Sequence, residues 1–109
     1  MDITTKPLRL TRKKSIQICI ELWTWLAETG RQKTGWPGWG KYGRMSCGCP
    51  FCEYAERKHG FASCDDCPYF EKFKSCDSDD APYEKWFDAE TLTQRKKYAK
   101  AFLAQLEQL

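Results

Sequence analysis

Between residues 12 and 28 the apolar positions keep a helical rhythm. Ile16, Cys19, Ile20, Trp23 and Ala27 recur at the spacing that places them on one face, and Ile18, Leu22 and Trp25 form a second stripe. A helix apolar on more than one side is central to a core or shared with a partner. Thr11 is the natural N-cap, with Ser15 as the alternative, and Thr29-Gly30 supplies the stop. The rhythm returns near the end of the sequence. There Leu92, Ala99, Phe102, Leu103 and Leu106 share one face, with Arg95, Lys96, Lys97 and Lys100 mostly on the other. Thr91 followed by Gln94 is a capping-box pattern for that helix. Pro82 opens a short helix from Tyr83 to Asp88.

Elsewhere the period lapses. Residues 1–10 read as an extended lead-in, and residues 30–46 as a loop rich in glycine and tryptophan. Pro37-Gly38 fits the centre of a type II turn, because proline presets the first dihedral and glycine accepts a positive φ at the second. Residues 77–81 read as an acidic turn. The expected fold is mainly α, with N-terminal and C-terminal helices packed around a small zinc-knuckle lobe with irregular loops. A single domain, 1–109, divides into a helix at 11–29, a Trp/Gly loop at 30–46, a zinc lobe at 47–76 and C-terminal helices at 82–109.

Composition supports a packed core. Apolar residues make up 41% of the 109, and five are tryptophan, too rich for a disordered chain. A chain of this size buries only about two-thirds of its unfolded surface, so a metal staple would help. The net charge of +3 is uneven. Residues 1–46 carry nine Lys/Arg against three Asp/Glu, and residues 47–109 carry nine against twelve. The first part therefore suits an anionic partner that the second would repel. No run is long and apolar enough to span a bilayer, and Met1 to Thr5 do not resemble the start of a secretory signal. A reducing cytoplasm is the expected location. Seven cysteines there point to metal rather than to disulfides.

The cysteines carry the clearest chemistry. Cys49-Pro50-Phe51-Cys52 and Cys64-Asp65-Asp66-Cys67 are two Cys-x-x-Cys pairs separated by eleven residues. Two-residue spacing lets both sulfurs of a pair reach one ion, and two pairs complete a tetrahedral thiolate site. Zinc suits it, being redox-inert and borderline soft. A short helix from Glu53 to His59, stopped by Gly60, fills the linker. Cys76 is the first reserve ligand and Cys47 the second, and His59 is a further alternative. Cys19 reads as a small buried side chain. The spacing departs from iron–sulfur runs, and neither pair follows a strand as a thioredoxin-type motif would. Four thiolates leave no open position for catalysis, and the chain has no His-x-Glu deaminase motif and no phosphate-cradling glycine loop. A non-enzymatic protein is expected.

The ordered set Glu21 to Leu26 (Glu-Leu-Trp-Thr-Trp-Leu), Cys49-Pro50-Phe51-Cys52-Glu53-Tyr54, Cys64-Asp65-Asp66-Cys67-Pro68-Tyr69, Cys76 and Pro82-Tyr83-Glu84-Lys85-Trp86 resembles a group of small uncharacterised proteins encoded by bacteriophages and prophages. The likeness spans roughly residues 11–106. It implies zinc binding and a phage origin, and it raises Cys76 as a ligand. Cys47 is an addition to the pattern.

Two functions follow as expectations. One is a zinc-stabilised binding protein that engages a host protein, as an inhibitor or counter-defence factor, with Trp36 and Trp39 as anchors. The other is nucleic-acid binding, with Arg12, Lys13, Lys14, Lys33, Lys41 and Arg44 on phosphates and Trp36, Trp39 or Tyr42 stacking on bases. Arg12, Lys13 and Lys14 fall in the first turn of the first helix, where an anionic partner would offset their unfavourable interaction with the helix dipole.

Overall fold

A computed structural model describes residues 10–45, 48–60, 67–74, 76 and 80–109, without the side chain of His59. The fold is mainly helical, and no strand occurs among the described residues. Helix α1 spans Arg12–Thr29 and α2 Trp39–Tyr42, with a 3-10 turn at Lys33–Gly35 between them. Then come α3 (Pro50–His59), α4 (Pro68–Phe73), α5 (Pro82–Asp88) and α6 (Leu92–Leu106).

Local chemistry sets most of the boundaries. The Thr11 hydroxyl accepts from the Lys14 amide at 3.1 Å, capping α1. Gly30 ends it at φ 71°, a left-handed conformation that glycine adopts without a Cβ penalty. Proline opens α3, α4 and α5, where a missing N–H costs nothing. Thr91 accepts from the Gln94 amide at 3.1 Å, and the Gln94 side chain reaches back to the Glu90 amide at 3.2 Å. The capping box therefore closes on the residue before the cap.

Three expectations are corrected. The 30–46 segment is not wholly loop, since it holds the 3-10 turn and α2. Pro37-Gly38 is not the centre of a type II turn, because Gly38 has φ −61° and ψ −19° and leads directly into α2. Its glycine serves another purpose: the Trp36 indole lies where a Cβ at Gly38 would stand. The helix expected from Glu53 begins at Pro50. The acidic turn expected at 77–81 lies mostly outside the described residues.

Helix α1 lies against both α6 and α3. Ile18, Cys19, Leu22, Trp23, Leu26 and Ala27 are its buried apolar residues, so the core draws on both predicted stripes. Ala99, Phe102 and Leu106 answer from α6, while Leu92 is 49% exposed and leaves the predicted buried face. Leu92 instead sits over Gly30, whose carbonyl accepts from Arg95 Nε at 2.7 Å. Trp23 is the aromatic hub. Its ring meets Phe102 at 4.5 Å, Trp86 at 4.8 Å and Tyr83 at 5.7 Å, all edge-on. Edge-to-face contacts of this kind contribute about 0.5–1.5 kcal/mol each beyond area burial. Trp23 and Trp86 are thus core residues.

Candidate metal centre

Cys49 and Cys67 each precede a helix whose first residue is proline. Cys52 lies in the first turn of α3. Helix α1 packs on α3 and brings Cys19, fully buried, to the same place. Cys19 and Cys52 both lie close enough to Cys49 to perturb its thiol. Cys19 has an electrostatic interaction with Cys67 as well. Cys49, Cys67 and Cys76 pack around the core cluster that contains Cys19.

Two thiols so arranged share charge unequally. The neighbouring Cys19 and Cys52 thiols, aided by Lys33 and against the effect of burial, hold Cys49 well below the ordinary thiol range. Burial first, then the neighbouring Cys49, pushes Cys19 well above it. Burial also lifts the Tyr69 hydroxyl to about 12, with the Cys76 and Cys67 charges adding to the rise. Tyr69 donates to Gln105 Oε1 at 2.7 Å. Burial raises Tyr83 too, against the opposing effect of Lys33, whose ammonium donates to the Tyr83 hydroxyl at 2.7 Å.

Of the predicted ligands, Cys49, Cys52, Cys67 and the reserve Cys76 are described, and no disulfide joins them to each other or to Cys19. Cys64, Cys47 and the His59 side chain lie outside the described residues. Among the described residues no group of three or more His, Cys, Asp or Glu side chains is drawn together as a metal site. Sequence reasoning missed the Cys19 contact. It is made across about thirty residues of chain, and helical spacing alone does not report it.

The predicted partner-binding residues are distributed unevenly. Arg12 pairs with Glu71 at 2.8 Å. Lys14 and Lys41 stand over the Tyr42 ring at 5.5 and 5.0 Å, and Tyr42 donates to Glu21 at 2.9 Å. Trp36 is buried at 7% exposure, edge-on to Trp39 at 5.0 Å and stacked on Tyr42 at 6.0 Å. As placed, it offers no anchor. Trp39 is half-buried and donates its indole N–H to the Lys33 carbonyl at 2.7 Å. Lys13 and Arg44 are exposed. Arg44, Trp39, Lys33 and Met45 line a cleft of about 250 Å³.

A second cleft, about 340 Å³, is lined by Gln32, Lys33, Thr34, Tyr83, Trp86 and Phe87. Phe87 is 67% exposed. The buried Trp86 Nε1 has no hydrogen-bond partner among the described residues. Sequence reading passed over Phe87, although it follows Trp86 directly and so cannot share its inward face.

Among the described residues no helix is long and apolar enough to cross a membrane. No family model matches the chain, and neither the curated proteins nor the solved structures yield a match.

Proposed function

We propose that this chain is a small non-enzymatic binding protein, stabilised by zinc held on cysteine thiolates, that engages a protein of a bacterial host. The observation that carries the zinc reading is the Cys49 thiol at the start of α3. Cys52 stands in the first turn of the same helix, and the neighbouring Cys19 and Cys52 thiols shift Cys49 toward the thiolate that a metal requires. The donor chemistry fits zinc: sulfur ligands and no redox demand. Cys49, Cys52 and Cys67 would hold the ion, and the paired spacing names Cys64 as the fourth ligand, with Cys76 in reserve. Bound zinc would contribute folding free energy and tie the 47–76 lobe to α1.

For the partner, the preferred class is protein. Phe87 is a large exposed apolar side chain lining a cleft that also holds Lys33 and Trp86. An aromatic anchor next to a pocket is the arrangement that dominates protein hot spots. Nucleic-acid binding has less support, because Arg12, Lys14, Lys33 and Lys41 already engage a carboxylate or aromatic rings and Trp36 is buried.

The test is affinity capture from a bacterial host lysate with the wild-type chain and Phe87→Ala. A specific protein captured by the wild type and weakened about tenfold or more by the substitution is the expected result, tenfold being about 1.4 kcal/mol. Recovery of nucleic acid that is lost steeply with added salt would contradict it.

A further inference from the structure

We propose that the turn at Lys33–Gly35 receives a short acidic segment of the partner protein, in which one carboxylate lies between two apolar side chains. This rests on the protein-binding reading above and names the chemistry of the segment bound.

The geometry begins with two clefts that share a wall. Lys33 and Thr34 line both. Trp39 and Met45 complete one side, and Tyr83 and Phe87 the other. The Lys33 ammonium reaches residues of each. It donates to the Tyr83 hydroxyl at 2.7 Å, and its Nζ lies 3.7 Å from where a Cβ at Gly48 would stand. Gly48 lines the first cleft and Tyr83 the second. A positive charge therefore stands between two aromatic-lined hollows of about 250 and 340 Å³.

Charge selects the occupant. Among the described residues no carboxylate lines either cleft, and the exposed Arg44 adds a second cation to the first. Lys33 is half-buried, so a charge opposite it is screened less than in open water. The other face of α5 has the reverse character. A third cleft there, about 450 Å³, is lined by Glu84, Asp88 and Glu90, with Lys85 as its cation. An acidic segment is drawn to the Lys33 side of α5 and repelled from the other. Two cations are few for nucleic acid, whose affinity comes from neutralising many phosphates. A peptide needs less: one carboxylate to set register and apolar side chains to supply affinity.

The test selects binders of the wild-type chain from a displayed random-peptide library and measures them by calorimetry. Enriched peptides are expected to carry Asp or Glu flanked by apolar residues. Exchanging those acids for Asn or Gln should weaken binding about tenfold or more. In Lys33→Met the acidic and amide peptides should bind alike. The peptide exchange alters no residue of the chain, so that arm stands even where Lys33→Met does not fold. Enriched peptides without acids, whose binding still falls in Phe87→Ala, overturn this inference and leave the protein-binding reading standing. Acidic peptides that prefer their acids equally in Lys33→Met also overturn it, as does a library that yields no binder. A single-stranded oligonucleotide that binds more tightly than any peptide, and loses this in Lys33→Met, overturns both.

Discussion

Cys19 in the first helix is fully buried and its thiol interacts with that of Cys49 at the start of the third. That contact makes the buried face of α1 more than a hydrophobic seam. The helix meets α6 through Leu and Trp side chains and the α3 knuckle through sulfur. One element therefore joins the aromatic core to the cysteine lobe.

Gly30→Ala is expected to lower stability by about 1–3 kcal/mol, the range for a non-glycine residue held in a sparsely populated conformation. The position has φ 71°, and its space is taken by Leu92, whose Cγ would stand 3.0 Å from an added Cβ. Urea denaturation checks this. Gly30→Ala with unchanged midpoint would show that the α1 terminus relaxes freely.

Gly38→Ala tests what glycine does between Trp36 and Trp39. Its backbone is in the ordinary right-handed region, so alanine meets no dihedral penalty. The added methyl would instead collide with the Trp36 indole. A loss of about 1–3 kcal/mol is expected from overpacking. In a Trp36→Ala background the same substitution should be close to neutral. A double-mutant cycle reads this coupling directly, and equal losses in both backgrounds would contradict the steric account.

Stability should fall at alkaline pH in a way that Tyr83 shares. Burial raises its hydroxyl above the ordinary value. An unfolded tyrosine ionises near 10, while the folded one is still neutral there. The contribution is complete below about pH 10 and is lost as pH rises through the higher folded value. Denaturation at pH 9 and pH 11 should show a smaller drop for Tyr83→Phe than for the wild type. An equal drop would show that Tyr83 does not take part.

Much of the helical frame was legible in the chain. The 3.6-residue period, Thr11, Gly30, Pro82 and the Thr91/Gln94 pair mark α1, α5 and α6 because their signals are local. The glycine-rich stretch misled. Gly38 looks like a turn residue, and only the Trp36 ring folded back onto it explains its presence. Leu92 fits the apolar face by count, yet it sits at the first turn of α6 and covers Gly30. The candidate site divides in the same way. The Cys49 and Cys52 pairing is visible as spacing, whereas the part played by Cys19 depends on how α1 meets α3. Burial of Trp36 was likewise a matter of tertiary packing, not of composition.

The most direct test of the account is the metal content of the wild-type chain, purified without chelators and measured by elemental mass spectrometry. About one zinc per chain is predicted, as for a closed structural thiolate site, with loss of helical signal when a strong chelator removes it. A zinc content near zero, with the helices intact, would contradict it.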